Sequence, residues 1–322
     1  MKFNNQNFLT LNIMMLSIYM ILSSSNWMFS WMMMELGFFS FLIIMSQSMK
    51  ISYQLMKFFI IQSISSSLMI FFMMMESMNQ NYFNLIFLMN SFVFKLGLSP
   101  LHFWMPMMFS FMNYYSCLIF STFQKIGPLI IMSQFISFYF MKPILMLSLM
   151  IGSISSIKQN KFKKLLAFIS ISSMPWMIMS IYMSKNLFII FFMLYLITNF
   201  TMFKLLMENN ILSINQLWIK SQKNKILIQL SILSTMGLPP LIGFIPKWMI
   251  LKNFSSMMGS LSLILVLSSS FQCLSFLKLT INNLFISSIS IKSSSKNIYN
   301  KSNSLLFFIS LIQLPTFSML MI

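Results

Sequence analysis

The sequence predicts an all-α polytopic membrane protein of about eleven transmembrane helices, arranged as two inverted five-helix repeats whose fourth and ninth helices are broken. Three observations lead there. Of 322 residues, 58% are hydrophobic and 7% are charged, whereas soluble domains carry about 25% charged residues. No soluble interior holds so much apolar surface, so the chain belongs in a bilayer. Second, eleven mainly apolar stretches have roughly the ~20 residues that span a bilayer; they lie near 8–25, 27–46, 57–76, 83–106, 116–138, 143–157, 165–183, 186–207, 226–251, 257–278 and 305–321. Third, two of these stretches carry glycine and proline interruptions at corresponding places.

The interruptions read K-L-G-L-S-P-L-H-F-W-M-P at 95–106 and T-M-G-L-P-P-L-I-G-F-I-P at 235–246. At a spacing of 140 they share Gly97 with Gly237, Leu98 with Leu238, Pro100 with Pro240, Leu101 with Leu241 and Pro106 with Pro246. Proline lacks a backbone donor and clashes with the preceding turn, so Pro100, Pro239 and Pro240 should break their helices. Matched breaks in two halves of a membrane chain are the pattern of a transporter built from repeats, with its ion path at the breaks. The broken spans are five apart and therefore cross in opposite directions. That sets the expected organisation: residues 1–140 as the first repeat, 141–280 as the second, inverted one, and 281–322 as a polar loop with a C-terminal transmembrane helix. The sixth stretch, beginning at Pro143, is short and is expected to be tilted or partly interfacial. The first shows no cleavable signal pattern and is expected to stay.

Charge sorts the connections. The chain has 21 Lys, no Arg, three Glu (Glu35, Glu76, Glu208) and no Asp. With the N-terminus on one side, that side receives thirteen lysines (Lys2, Lys50, Lys57, Lys158, Lys161, Lys163, Lys164, Lys220, Lys223, Lys225, Lys292, Lys296 and Lys301) and the other receives Lys142, Lys185 and Lys252. Such an excess marks the side of synthesis, which is the matrix if the gene is organellar. A nucleic-acid binder would gather this charge on one solvated face; here it is scattered between apolar runs, so no nucleic-acid partner is expected. Composition supports an organellar gene, since 38 Met stand against one Ala (Ala167) and two Val (Val93, Val266). Residues with A+T-rich codons are favoured throughout.

Several chemistries lack their residues. Cys117 and Cys273 are far apart, and His102 is the one histidine. Iron–sulfur and zinc sites need about four ligands, so the chain builds neither alone. It has no glycine-rich nucleotide loop. No cofactor or metal is expected in this chain.

Four charges fall inside spans: Glu35 in the second, Lys95 in the fourth, Lys125 in the fifth and Lys247 in the ninth. Each costs at least ~2.5–3.5 kcal/mol at the bilayer centre, so each needs a reason. One reason is a proton relay, because burial disfavours an ionised group while an opposite charge beside it restores it, leaving the pair poised between states. The other is a static buried ion pair, or for Lys247 a stem that snorkels to a nearby boundary. Position alone leaves Lys247 open. Lys125 precedes Gly127-Pro128, which loosens its helix, and Lys95 lies five residues before Pro100. His102 follows the first break and suits either proton transfer or donation to a freed carbonyl. Trp27, Trp31, Trp104 and Trp248 suit interface anchors.

W-M-F-S-W-M-M-M-E ending at Glu35, K-L-G-L-S-P-L-H-F-W-M-P from Lys95, F-Q-K-I-G-P around Lys125 and G-L-P-P-L-I-G-F-I-P-K-W from Gly237 to Trp248 resemble the NADH-ubiquinone oxidoreductase chain 2 family. These are the mitochondrially encoded, antiporter-like subunits of respiratory complex I, and the order and spacing of the motifs extend the match over almost the whole chain. The resemblance implies an antiporter-like fold, animal members having lost the first three of its fourteen helices, and a seat in the mitochondrial inner membrane. It implies proton translocation, with Glu35 partnering Lys95, Lys125 as the central relay and Lys247 as the terminal lysine. Partners would be other membrane-arm and accessory subunits, with NADH, FMN, iron–sulfur clusters and ubiquinone handled by those subunits. Two positions depart from the family pattern: Met107 stands where a Glu often follows F-W-x-P, and Ser173 where a His precedes Met. Two other functions compete. A stand-alone cation/proton antiporter would want a carboxylate-rich cation site, which three Glu supply poorly. A structural spacer would hold its lysines as static pairs and tolerate their loss.

Overall fold

The computed structural model describes residues 5–48, 52–78, 81–135, 138–219, 222–239, 241–254 and 259–287. Nearly all of them are helical. In order they form α1 (Asn5–Ser23), α2 (Trp27–Ser48), α3 (Ser52–Met78), α4 (Tyr82–Leu96), α5 (Trp104–Phe111), α6 (Tyr114–Phe135), α7 (Phe138–Ile157), α8 (Phe162–Met183), α9 (Lys185–Asn209), α10 (Gln222–Met236), α11 (Phe244–Phe254) and α12 (Gly259–Ser287). The expected span at 305–321 and Pro240 lie outside the described residues.

Seven of these helices, α2, α3, α6, α7, α8, α9 and α12, are long and apolar enough to cross a membrane. Serine is tolerated in the apolar helices, α4 and α10 included, because its hydroxyl turns back onto its own helix. Ser91 donates to the Leu88 carbonyl at 2.6 Å, Ser121 to Leu118 at 3.0 Å and Ser231 to Ile228 at 2.8 Å. Each leaves no unmet donor in an apolar setting. Large apolar side chains such as Leu16, Phe71, Met193 and Leu263 point outward, as a lipid-facing surface requires. α7 begins five residues before the expected start at Pro143 and runs 20 residues with that proline inside. The missing N–H frees only the Tyr139 carbonyl, in the first turn at a residue that is itself exposed.

The two interrupted spans are each seen as a pair of short helices, α4 with α5 and α10 with α11. Both first halves end the same way. Gly97 (φ 69°) and Gly237 (φ 79°) take the left-handed conformation, which costs glycine little. The Gly97 N–H donates to Phe94 at 3.3 Å and the Leu98 N–H to Val93 at 3.0 Å; the Gly237 N–H donates to Ser234 at 3.2 Å and the Leu238 N–H to Leu233 at 3.4 Å. This paired bonding closes a helix end on its own carbonyls. The second halves restart alike, Met105 N–H on His102 O at 3.0 Å and Ile245 N–H on Ile242 O at 3.2 Å.

The chain divides into two compact units, Met1–Ser148 and Leu149–Ile322. In the first, α2 and α6 pack on α1 and on each other, and α3 packs on α4. An aromatic cluster fills the space beside the first break: Phe58 lies 5.6 Å from Trp104 and 5.8 Å from Phe120, and Phe120 lies 5.6 Å from Phe109. Trp104 is thus core rather than interface anchor, while Trp248 is exposed. In the second unit, α9 packs on α8, α10 and α11, and α12 packs on α10 and α11.

Candidate functional site

Lys95 occupies the last turn of α4, immediately before Gly97. Its stem is buried, and its ammonium donates to Glu35 Oε1 of α2 at 2.5 Å, with side-chain exposures of 4% and 14%. Two opposite charges within hydrogen-bond distance and shielded from bulk water form a charge-assisted pair, the stronger class of hydrogen bond. Gln62 of α3 directs its amide toward the Lys95 carbonyl at 3.5 Å. Just past the turn, His102 Nδ1 lies 3.2 Å from the Pro100 carbonyl and 3.3 Å from Ser99 Oγ. A carbonyl only accepts, so Nδ1 carries the hydrogen. Pro100 sits at the break with its carbonyl used in this way.

Lys125 is buried in α6. Pro128 has no N–H, so the Gln124 carbonyl lacks the amide four residues on. Gly127 brings α6 close to its neighbours, since a Cβ there would lie 3.1 Å from Met34 Cγ and 3.3 Å from Ile21 Cδ1. Beside this loosened turn is a cavity of about 20 Å³ whose polar lining is Gln62, Lys95, Gln124 and Lys125. A site of that size with several polar partners holds about one water. Lys95 and Lys125, both buried, therefore border one hydratable space.

Lys247 lies in the first turn of α11 and is buried. Its amine reaches back across the break to the Met236 carbonyl at 2.6 Å and to Gln272 Oε1 at 3.0 Å, with the Trp176 ring 5.6 Å from the nitrogen. Met236 ends α10, so its carbonyl has no helical partner, and the negative end of the helix dipole falls where the amine sits. The break supplies both. Gly237 makes the reach possible, because a Cβ there would stand 2.9 Å from Lys247 Cδ. Gly243 is more constrained still: its Cβ would lie 1.7 Å from the Ser234 carbonyl oxygen. Pro239 lies in the turn between these glycines.

The NADH:quinone oxidoreductase/Mrp antiporter transmembrane family model matches residues 24–273. NADH-ubiquinone oxidoreductase chain 2 of Anopheles gambiae is 34% identical over 272 residues, covering 80% of this chain and 78% of that one. The chain belongs to the NADH:quinone oxidoreductase/Mrp antiporter family, in its NADH-ubiquinone oxidoreductase chain 2 branch. The chain 2 protein of Locusta migratoria is 30% identical over 265 residues, 78% of this chain and 77% of that one. Among solved structures, a chain of Thermus thermophilus respiratory complex I superposes with a TM-score of 0.81 at 15% identity, covering 96% of this chain and 77% of that one. A chain of the Mrp complex from Dietzia gives 0.69 at 12% identity, covering 83% and 58%. The chain thus has the antiporter-like helical fold.

Against this family background the two departures are placed plainly. Met107 is half exposed on α5, and Ser173 is buried on α8 with its hydroxyl on the Ser170 carbonyl at 3.0 Å. Sequence reasoning missed the amides. Gln62, Gln124 and Gln272 all contact or flank the lysines, and a search limited to ionisable residues passes over them. The usable signal was a glutamine in the middle of an apolar run, which is costly unless partnered.

Proposed function

We propose that the chain is a proton-translocating membrane subunit of respiratory complex I, seated in the mitochondrial inner membrane with its N-terminus in the matrix. NADH oxidation and ubiquinone reduction take place in other subunits, which hold the FMN, the iron–sulfur clusters and the quinone; neighbouring membrane-arm and accessory subunits complete the assembly. In this reading the chain has eleven spans in two inverted five-helix repeats, 1–140 and 141–280, followed by a last helix within 281–322. Protons pass through Glu35, Lys95, Lys125 and Lys247, with His102 serving at the first break.

The observation that carries this reading is the cavity bordered by Lys95 and Lys125, one of which is already paired with Glu35. Opening the Glu35–Lys95 pair releases a charge next to Lys125, and a bridging water gives the proton a path. Moving one proton against 100 mV requires ~2.3 kcal/mol, equal to a change of about 1.7 in pKa at 1.36 kcal/mol each. Buried groups are known to move by about 3–5, so the relay has capacity. Lys125→Met in the assembled complex should lower the number of protons moved per quinone reduced, with assembly intact on a native gel. An unchanged ratio removes the assignment. Proton or cation exchange by the purified chain alone would favour the stand-alone antiporter instead.

A further inference from the structure

The Lys247 amine and the Glu35–Lys95 pair differ in what faces them. Lys95 meets a carboxylate, whereas the hydrogen bonds of Lys247 go to two neutral oxygens, the Met236 carbonyl and the Gln272 side-chain amide. The amide is in turn held from behind: Gln272 Nε2 donates to Ser172 Oγ at 2.5 Å, and Ser172 Oγ donates to the Ile169 carbonyl at 2.8 Å. These groups come from α8, α10, α11 and α12, and Ser172, Lys247 and Gln272 are all buried.

With Lys247 charged, the direction of every bond in this chain is fixed. A lysine nitrogen in its charged form only donates, so the amide must turn its oxygen to it. Ser172 gives its single hydrogen to Ile169, so toward Gln272 it can only accept, and it receives the amide NH₂. The amide cannot flip without losing both partners.

We propose that Gln272 is a positioning residue for the terminal lysine, holding the Lys247 amine on the open end of α10 so that proton exchange takes place at one defined position of the nitrogen. The inference rests on the reading of Lys247 as a relay group. A charged lysine has three N–H donors and a neutral one has two. Met236 O and Gln272 Oε1 occupy two of them in either state, so the site keeps its bonds when the proton leaves. The third position alone changes from donor to lone pair. Without Gln272 the amine would rotate about its terminal bond, and the exchanging hydrogen would lose its direction. A carboxylate in place of the amide would hold the amine equally well but would favour its charged form and hinder release.

The experiment compares Gln272→Met, Gln272→Glu and Ser172→Ala with Lys247→Met in the assembled complex, reading quinone-coupled proton pumping across pH. Gln272→Met keeps the length but replaces the amide oxygen by a weakly accepting thioether, and pumping should fall about tenfold, the order carried by one hydrogen bond to a charged group. Its pH–rate midpoint should move, and Gln272→Glu should move that midpoint in the opposite direction. Ser172→Ala should give a smaller shift with the same sign as Gln272→Met. If Gln272→Met fails to assemble, Ser172→Ala decides, since it removes one hydroxyl only, and a wild-type midpoint there overturns the inference. A wild-type rate and pH profile in Gln272→Met, with Lys247→Met inactive, overturns the positioning role and leaves the relay standing. Wild-type pumping in Lys247→Met overturns the relay itself.

Discussion

The two broken helices share a backbone and differ in chemistry. At a spacing of 140 residues their left-handed glycines, closing bonds and restart bonds coincide, yet the lysines do not. Lys95 precedes its glycine and corresponds to Thr235 of the second break, while Lys247 follows its glycine and corresponds to Met107 of the first. In the first break the charge faces a carboxylate from another helix; in the second it hooks back onto the end of its own broken helix. The same interruption therefore serves two purposes. In one it sets a buried turn beside an ion pair, and in the other it supplies the ligand.

The comparison can be broken most severely at Gly243. Its counterpart in the first break is Phe103, a large exposed residue, so only the second break depends on a contact of backbone on backbone. Gly243→Ala places a methyl 1.7 Å from the Ser234 oxygen and should prevent the second break from closing, with loss of the assembled complex on native gels. Phe103→Ala should leave assembly near wild type.

Next in size is the ion pair. Glu35→Gln strands a buried ammonium and should cost about 3–5 kcal/mol, read as reduced complex abundance and thermal stability. Glu35→Gln combined with Lys95→Met removes both charges and should recover abundance without recovering pumping. No such rescue by charge removal is expected for Lys247, whose oxygens are neutral. Were Lys95→Met alone to assemble and pump normally, the first break would carry no charge function and the contrast would vanish.

Gly97→Ala should cost less, about 1–2 kcal/mol for a left-handed non-glycine residue, because the nearest atom to the new Cβ is at the edge of the Trp104 ring at 3.1 Å. Thermal unfolding of the complex measures it. The smallest effect belongs to His102→Gln. An amide can still donate to the Pro100 carbonyl, so stability should change by less than about 1 kcal/mol, and any fall in pumping would then report on the second ring nitrogen.

Much of this was legible in the sequence, for identifiable reasons. Glycine and proline inside an apolar run leave few backbone conformations, so the interruptions after Leu96 and Met236 were readable, and a charge inside a span is so costly that Lys95, Lys125 and Glu35 stood out. Span lengths were less legible. Hydropathy puts the two interrupted spans at 83–106 and 226–251, whereas the helix pairs run over 82–111 and 222–254. The sixth apolar stretch begins at Pro143 in the sequence, yet its helix starts at Phe138 with that proline inside. The glutamines were invisible for a related reason: a neutral amide costs far less than a charge, and its importance lies in which partner it meets across helices, which spacing along the chain does not encode.

The tight seat of Gly243 reaches beyond mechanics. Composition in this chain leans toward A+T-rich codons, and glycine, whose codons begin with two guanines, is reduced to seven residues. Six of the seven, all but Gly259, lie where an added methyl would meet a neighbouring atom. Base-composition drift can trade Leu, Ile, Phe and Met freely along lipid-facing walls, but at codon 243 a single substitution from guanine would put a side chain into a carbonyl. Glycine in this protein thus marks where nucleotide bias meets a steric floor.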